Sequence, residues 1–365
     1  MLVTLDDRPD VVALIPTLGA SPARLERAVA SLVAQETDAR LAVLVIVNAE
    51  DSVGLALDER VAVVHAGLNL GWAGGLAFGR SLVQAAQLWL VQDDMVLDPG
   101  CLTALRAALR HDEGLALVAP MVLRDGLVAA RTVGAHRDAA WTFSGWYPEI
   151  DTPLEAIGAL EGYAYVGSRG MLVRTAVWDS VGGMDPRFYP VMWVDADLCS
   201  TLLARGLRFR SVRDAHCTHE QSASTPSQFS ALLWHRNLAL LRQKHAEGPT
   251  GSAPSIAGAV DARLEPALVA TIARAAASLV RELADRVERD HHELDRLRSH
   301  VEQHAPQHDA LLGRLAAAEH SARLAELELA AMRSSRSWRL TAPVRALTVR
   351  RARPGGSVEP GADGG

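Results

Sequence analysis

The first 120 residues alternate. A short apolar run is followed by a segment with helical spacing, and the pair then repeats. Val11–Ile15, Leu41–Val47, Val61–Val64, Leu88–Val91 and Leu115–Val118 have strand length, and Leu41–Val47 is apolar throughout. A run of that kind suits a parallel strand covered on both faces. Between the runs, Ser21-Pro22 gives a cap and a proline at the first helical turn, and Leu25, Ala28, Val29 and Leu32 form one apolar face. Gly74–Gln87 has helical composition. Asp98-Pro99 repeats the cap-and-proline signal ahead of Leu102, Leu105 and Leu109. Such alternation predicts an α/β fold with a mostly parallel sheet flanked by helices.

With 49% hydrophobic residues the chain can build a sizeable core, and a net charge of −6 gives no reason to expect a nucleic-acid partner. Three scattered cysteines do not make a disulfide framework, which favours a reducing compartment. The N-terminus has no basic-then-apolar leader pattern, and the longest apolar run is far too short to span a bilayer. The expected location is cytoplasmic.

The composition changes along the chain. Residues 1–245 form the expected α/β domain. The small, Gly/Pro/Ser-containing stretch 246–262 reads as a linker. Residues 263–335 carry heptads, with Val280, Val287 and Leu294 at one apolar position and Leu283, Leu297 and Leu311 at the other. They predict helices and a coiled coil interrupted at Pro306, where Asp290, His304 and His308 break the pattern. Two readings fit: self-association into a homo-oligomer, or helices folded back on the α/β domain. Residues 336–365 form a basic amphipathic segment and a Gly-rich tail. Met332–Arg353 holds seven arginines and no acid, with Trp338, Leu340, Val344 and Leu347 among them. Residues 333–353 fit peripheral contact with an anionic membrane, at the inner face of the plasma membrane, or a solvated basic tail.

Four constellations could carry chemistry. Asp93 and Asp94 follow the strand Leu88–Val91, at the strand end where open α/β sheets bind ligands. Adjacent carboxylates suit Mg²⁺ or Mn²⁺ completed by substrate phosphates; a turn cap beside a solvated acid is the alternative. Asp195 and Asp197 begin a helix-like run beside Trp193. One of them could cap the helix, and the other could act as a general base near an aromatic that stacks on a sugar. His219 could add a metal ligand. The turn Asn69-Leu70-Gly71-Trp72-Ala73-Gly74-Gly75 could let backbone approach a diphosphate. It matches neither the dinucleotide fingerprint nor the P-loop.

In their order these pieces resemble the family 2 glycosyltransferases, inverting enzymes of the GT-A fold. The resemblance runs from about Val11 to Ser224. Val11–Thr17 looks like the opening strand, and Asn69–Gly75 looks like the N-x-G-x-A-G-G turn. Gln92-Asp93-Asp94 takes the D-x-D place, and Gly182–Phe188 looks like G-G-F-D-x-x-F. Val194–Cys199 looks like E-D-V-D-L-C, and His219 with Ser222 and Ser224 looks like the H-x-x-x-S ending. Ser337–Pro343 also resembles a segment appended to many bacterial polysaccharide glycosyltransferases.

The resemblance implies a GT-A domain that moves a sugar from a nucleoside-diphosphate donor to a glycan or lipid-linked glycan acceptor, in cell-envelope or exopolysaccharide synthesis. It implies that Asp94 and His219 hold Mn²⁺ or Mg²⁺, and that Asp93, Asn48, Asn69, Gly71 and Gly74 lie on the donor side. It makes Asp195 the general base. Trp193, Arg169 and Asp197, with Trp146 and Tyr147, are expected toward the acceptor. Three positions depart from the pattern. Val47 replaces the Asp before Asn48, with Asp51 as a candidate substitute. Gln92 replaces the first acid of D-x-D, and Val194 replaces the Glu of E-D. These departures leave a second reading: a catalytically degenerate scaffold working through its helical C-terminus. A sugar nucleotidyltransferase is a poorer fit, because Leu18–Arg24 lacks the expected Gly-rich basic loop.

Overall fold

The computed structural model describes residues 9–49, 58–130, 134–138, 141, 143–220, 227–246, 266–304 and 309–334. Asp51, Ser222, Ser224, most of the 246–262 linker, Pro306, His308 and the basic tail beyond Ser334 lie outside them. So do the side chains of Trp146 and of residues 300–312 and 328–334.

The predicted strands appear as β1 (Val11–Thr17), β2 (Leu41–Val47), β3 (Val61–His65), β4 (Gln87–Leu90) and β6 (Leu115–Arg124). The alternation of side chains across the pleat explains why these runs are apolar throughout. Val12, Leu14, Leu44, Ile46, Leu88 and Leu90 enter one core. Val11, Ala13, Ile15, Val43, Val45 and Trp89 enter the core on the other face. The second core is closed by α1 (Pro22–Val33) and α3 (Cys101–His111). The first is closed by α2 (Gly71–Ser81), α4 (Thr175–Val181) and α5 (Val194–Ala204).

Strands β1, β2, β3 and β4 are mutually parallel, in the order β3-β2-β1-β4. Then β10 (Met171–Arg174) runs antiparallel between β4 and β6. Next to β6 lies β11 (Arg208–His219), parallel to it, and β5 (Met95–Leu97) pairs antiparallel with the end of β11. Three short strands, β7 (Leu127–Val128) and the β8–β9 ribbon (Gly134–Arg137, Phe143–Tyr147), complete the described sheet structure.

Two helix starts differ from expectation. Helix α3 begins at Cys101, not at Asp98-Pro99, because the Asp98 amide still bonds His216 O on the neighbouring strand and the Asp98 carbonyl accepts from the Cys101 amide. Helix α2 begins at Gly71 and ends at Ser81, earlier at both ends than Gly74–Gln87. The Asn69 side chain accepts the Gly71 amide at 2.7 Å, which starts the helix three residues sooner.

Helix α6 (Ser227–Ala246) follows, and then α7 (Pro266–His304) and α8 (Asp309–Ser334). Leu268, Ile272, Ala275 and Ala276 at the start of α7 join the core of the α/β unit. Farther along, α7 and α8 run antiparallel, with Arg298 against Glu319 and His291 against Glu326. The heptad residue Leu283 and its neighbour Leu279 pack with Ala325. Among the described residues, no helix is long and apolar enough to cross a membrane.

Candidate active site

The parallel strands β1, β2 and β4 end together, so Thr17, Asn48 and the turn Gln92–Asp94 share one edge of the sheet. The antiparallel strand β10 pairs Met171 with Leu90, which brings Ser168 and Arg169, just before β10, to that same edge. The pairing of His219 with Met95 brings the end of β11 there too.

At this edge His219 Nε2 lies 3.2 Å from an Asp94 carboxylate oxygen and 2.9 Å from Gln92 Oε1. The two side chains are 5% and 9% exposed, His219 being the more buried. His219 Nδ1 is buried without a partner. Asp93 points elsewhere and accepts a 2.5 Å hydrogen bond from the Thr17 hydroxyl. Burial pushes the Asp93 carboxyl above its ordinary range, with the Asp94 charge adding to the rise; the Thr17 hydrogen bond and the Arg24 guanidinium oppose it.

A carboxylate, an imidazole and an amide oxygen are donors that Mn²⁺ accepts, and an orphaned ring nitrogen beside a buried carboxylate marks a polar site. Among the described residues no group of three or more His, Cys, Asp or Glu could hold a metal. A cation held here would draw further ligands from a bound diphosphate or water, as Mg²⁺ sites commonly do. On those terms Asp94, His219 and Gln92 fit a divalent cation.

Asp195 stands in the first turn of α5. One carboxylate oxygen accepts from the Tyr165 hydroxyl at 2.8 Å and from the Ser168 amide at 3.2 Å. The other accepts from the Ala196 amide at 3.0 Å. Tyr165 is buried, which with the Asp195 charge raises its phenol well above the ordinary value. It therefore stays a neutral donor to Asp195. Through Ser168, Asp195 reaches the edge that carries Asp93 and Asp94.

The other expected site residues fall into three groups. Asn48 and Asn69 are buried and tie the Gly-rich turn together: Asn48 Nδ2 donates to Gly71 O at 3.1 Å, while Asn48 Oδ1 is buried without a partner. Gly71 and Gly74 serve packing. A Cβ on Gly71 would stand 2.7 Å from Pro190 O, and one on Gly74 would stand 3.0 Å from Ile272 of α7. The Gly71 and Trp72 amides are already taken by Asn69 and Pro190 O. Asp197, 1% exposed, accepts from Lys244 Nζ and pairs with His245 Nε2, both at 2.8 Å. Trp193 is 6% exposed and sits at 4.3 Å from the Trp234 ring. Arg169 has a buried Nε without a partner, and its charge acts on Tyr165.

Sequence reasoning missed Thr17, Arg24, Tyr165 and the pair Lys244-His245. Thr17 ends the opening strand and could have been found from strand-end position alone. Tyr165 carries no local signal, since its partner is 30 residues away.

The strand order, the helices on both faces and the acids at the carboxyl edge fit the GT-A fold that the sequence resembles. The chain belongs to the glycosyltransferase-like family 2, whose family model matches residues 9–262. No curated protein matches it. Among solved structures, it is similar to a crystal structure of GalNAc-T7 with UDP, GalNAc and Mn²⁺, at 11% identity and a TM-score of 0.46. That alignment covers 59% of this chain and 44% of the other, so the chain spans less than half the length of that protein.

Proposed function

We propose that this chain is a metal-dependent inverting glycosyltransferase, moving a sugar from a nucleoside-diphosphate donor to a hydroxyl of a glycan or lipid-linked glycan of the cell envelope. The observation that carries the reading is the convergence of Asp94 and His219, 3.2 Å apart at the carboxyl edge of the sheet. Asp94, His219 and the Gln92 amide oxygen would hold Mn²⁺ or Mg²⁺, which neutralises charge on the departing diphosphate. Asp93, tied to Thr17, faces the donor.

Asp195 is the base. Its Oδ2 is fixed by Tyr165 and Ser168. Oδ1, which accepts from the Ala196 amide, offers a further lone pair that accepts the proton of the acceptor hydroxyl as its oxygen attacks the anomeric carbon. The acceptor oxygen bonds to that carbon as the bond to the diphosphate breaks on the opposite face, which inverts the configuration. The base and the metal-holding acid come from different elements, α5 and the turn after β4, as an in-line displacement requires.

Calorimetry with UDP, GDP and dTDP tests the reading, with and without Mn²⁺, on wild type and Asp94→Ala. Metal-dependent binding of one nucleotide, lost in Asp94→Ala, supports it. Absence of binding to all three would turn the conclusion to the scaffold reading that Gln92 and Val194 suggest.

A further inference from the structure

Helix α6 grips the chain on both sides of Asp195. Upstream, Asn237, fully buried on α6, donates from one amide nitrogen toward three carbonyls of one segment: Phe188 O at 3.2 Å, Val191 O at 2.7 Å and Met192 O at 3.2 Å. The neighbouring Arg236 donates to Tyr189 O at 3.2 Å and to Asn237 Oδ1 at 2.6 Å, which fixes the orientation of the amide. The Trp193 indole donates to Trp234 O, again on α6. Downstream, Lys244 and His245 hold Asp197.

The gripped segment is unusual. Met192 and Trp193 are consecutive non-glycine residues in the left-handed region, at φ 82° and 63°. Such a pair persists only where surrounding contacts over-determine it. Trp193 is also the residue from which α5 starts, and the Asp197 amide bonds its carbonyl. The left-handed pair therefore sets the direction in which the first turn of α5, with Asp195, enters the site.

Arg236 carries the restraint outward. It also donates to Ala275 O at 3.3 Å and pairs with Glu282 at 3.3 Å, both on α7.

We propose that Asn237 and Arg236 are positioning residues for the Asp195 base, and that Arg236 makes helix α7 part of the same restraint. This rests on the transferase reading above. A base is effective only within hydrogen-bond reach of the proton it takes, so a small rotation of the α5 start lowers turnover without altering how Asp94 and His219 receive the diphosphate.

The test measures nucleoside-diphosphate release from UDP-, GDP- and dTDP-sugars with Mn²⁺ across pH, with nucleotide affinity by calorimetry. The variants are Asn237→Ala, Arg236→Lys and Glu282→Gln. Asn237→Ala is expected to lower turnover at least tenfold with nucleotide Kd within twofold of wild type. It should also flatten the acidic limb of the pH profile, because attack by water no longer depends on Asp195. Arg236→Lys and Glu282→Gln should lower turnover by roughly two- to fivefold, and they decide the matter if Asn237→Ala fails to fold. Unchanged turnover and pH profile in the folded variants, or a loss of turnover matched by loss of nucleotide binding, overturns the proposal alone. A wild type that binds no nucleotide and releases none overturns the transferase reading, and the proposal with it.

Discussion

His219 Nε2 lies 3.2 Å from the Asp94 carboxylate, although strands β5 to β10 and helices α3 to α5 separate the two residues along the chain. The β5–β11 pairing makes the contact, aligning His219 with Met95, next to Asp94 in the chain. Removing either partner leaves the other buried beside an unmatched polar group. His219→Ala should therefore weaken Mn²⁺-dependent nucleotide binding by about tenfold to a hundredfold, the usual loss when a metal site loses a ligand or its support. Calorimetry with and without Mn²⁺ reads this. Equal loss in the metal-free titration would show that the residue acts on the fold and not on the cation.

Asp195 and Tyr165 make a second pair with separable effects. Asp195→Asn keeps the shape and the Ser168 contact but cannot take a proton. Turnover should fall by roughly 10²- to 10⁴-fold. Tyr165→Phe removes one hydrogen bond that aims the carboxylate, worth about 1 kcal/mol, and should lower turnover about tenfold or less. Neither change should move nucleotide affinity beyond twofold. Steady-state kinetics beside calorimetry checks both.

Much of this arrangement could be read from the sequence, and the rest could not for definable reasons. The parallel strands were legible because both faces of Val11–Ile15 and Leu41–Val47 are covered, so every side chain is apolar. Asp93, Asp94 and Asp195 stand out through their positions after a strand or before a helix, and His219 through its resemblance to the H-x-x-x-S ending. The roles of Gly71, Gly74 and Asp197 were harder to read. A glycine required by a diphosphate and one required by Pro190 or Ile272 look the same in sequence. Asp197 at a helix start reads as a cap or an acceptor contact until Lys244 and His245 are brought to it from α6. The heptads of α7 are compatible with a partner chain or with α8 and the α/β unit, and only the packing distinguishes these occupants.

Asp93, proposed above to face the donor, also bears on stability. Burial raises its carboxyl above the ordinary value, so its folded-state pKa exceeds its unfolded one. The stabilisation that goes with the protonated form is complete below the unfolded pKa, near 3.9, and is lost as pH rises through the folded value. At neutral pH the charged group therefore weakens the fold. Asp93→Asn keeps an acceptor for the Thr17 hydroxyl and removes that charge. Its Tm should exceed that of wild type by about 2 °C or more at pH 7, with the gap closing toward pH 4, while nucleotide affinity falls. Thermal melts across this range check the sign; a gap widening toward acid would contradict it.

Asp185 behaves in the opposite way. Burial alone would raise its carboxyl, but hydrogen bonds from Arg187 and Lys244 bring it down to about 2. Its folded pKa lies below the unfolded value, so its contribution is present above about pH 4 and is lost as pH falls toward 2. Lys244 pairs with both Asp185 and Asp197. Lys244→Met leaves two buried carboxylates short of a partner and should destabilise the protein by about 3–5 kcal/mol at pH 7. Near pH 2, where the Asp185 contribution is lost, the difference from wild type should shrink. Urea unfolding at the two pH values measures this directly.

Two glycines with nearly the same backbone angle separate strain from steric clash. Gly67 has φ +70° and Gly71 has φ +69°. A Cβ on Gly67 meets nothing within 4 Å, so Gly67→Ala should cost about 1 kcal/mol, from the left-handed conformation alone. A Cβ on Gly71 would stand 2.7 Å from Pro190 O and 3.0 Å from the Tyr189 ring. Backbone cannot yield as a flexible side chain does, and Pro190 O also accepts the Trp72 amide at 2.8 Å. Gly71→Ala should therefore cost roughly 3 kcal/mol or more, combining strain with a displaced hydrogen bond. The displaced segment is the one Asn237 and Arg236 grip ahead of Asp195, so turnover should fall in Gly71→Ala and stay near wild type in Gly67→Ala. Denaturant unfolding and donor hydrolysis on the two variants separate the contributions: equal losses in both would leave left-handed strain as the only effect, and the close approach to Pro190 would have no energetic weight.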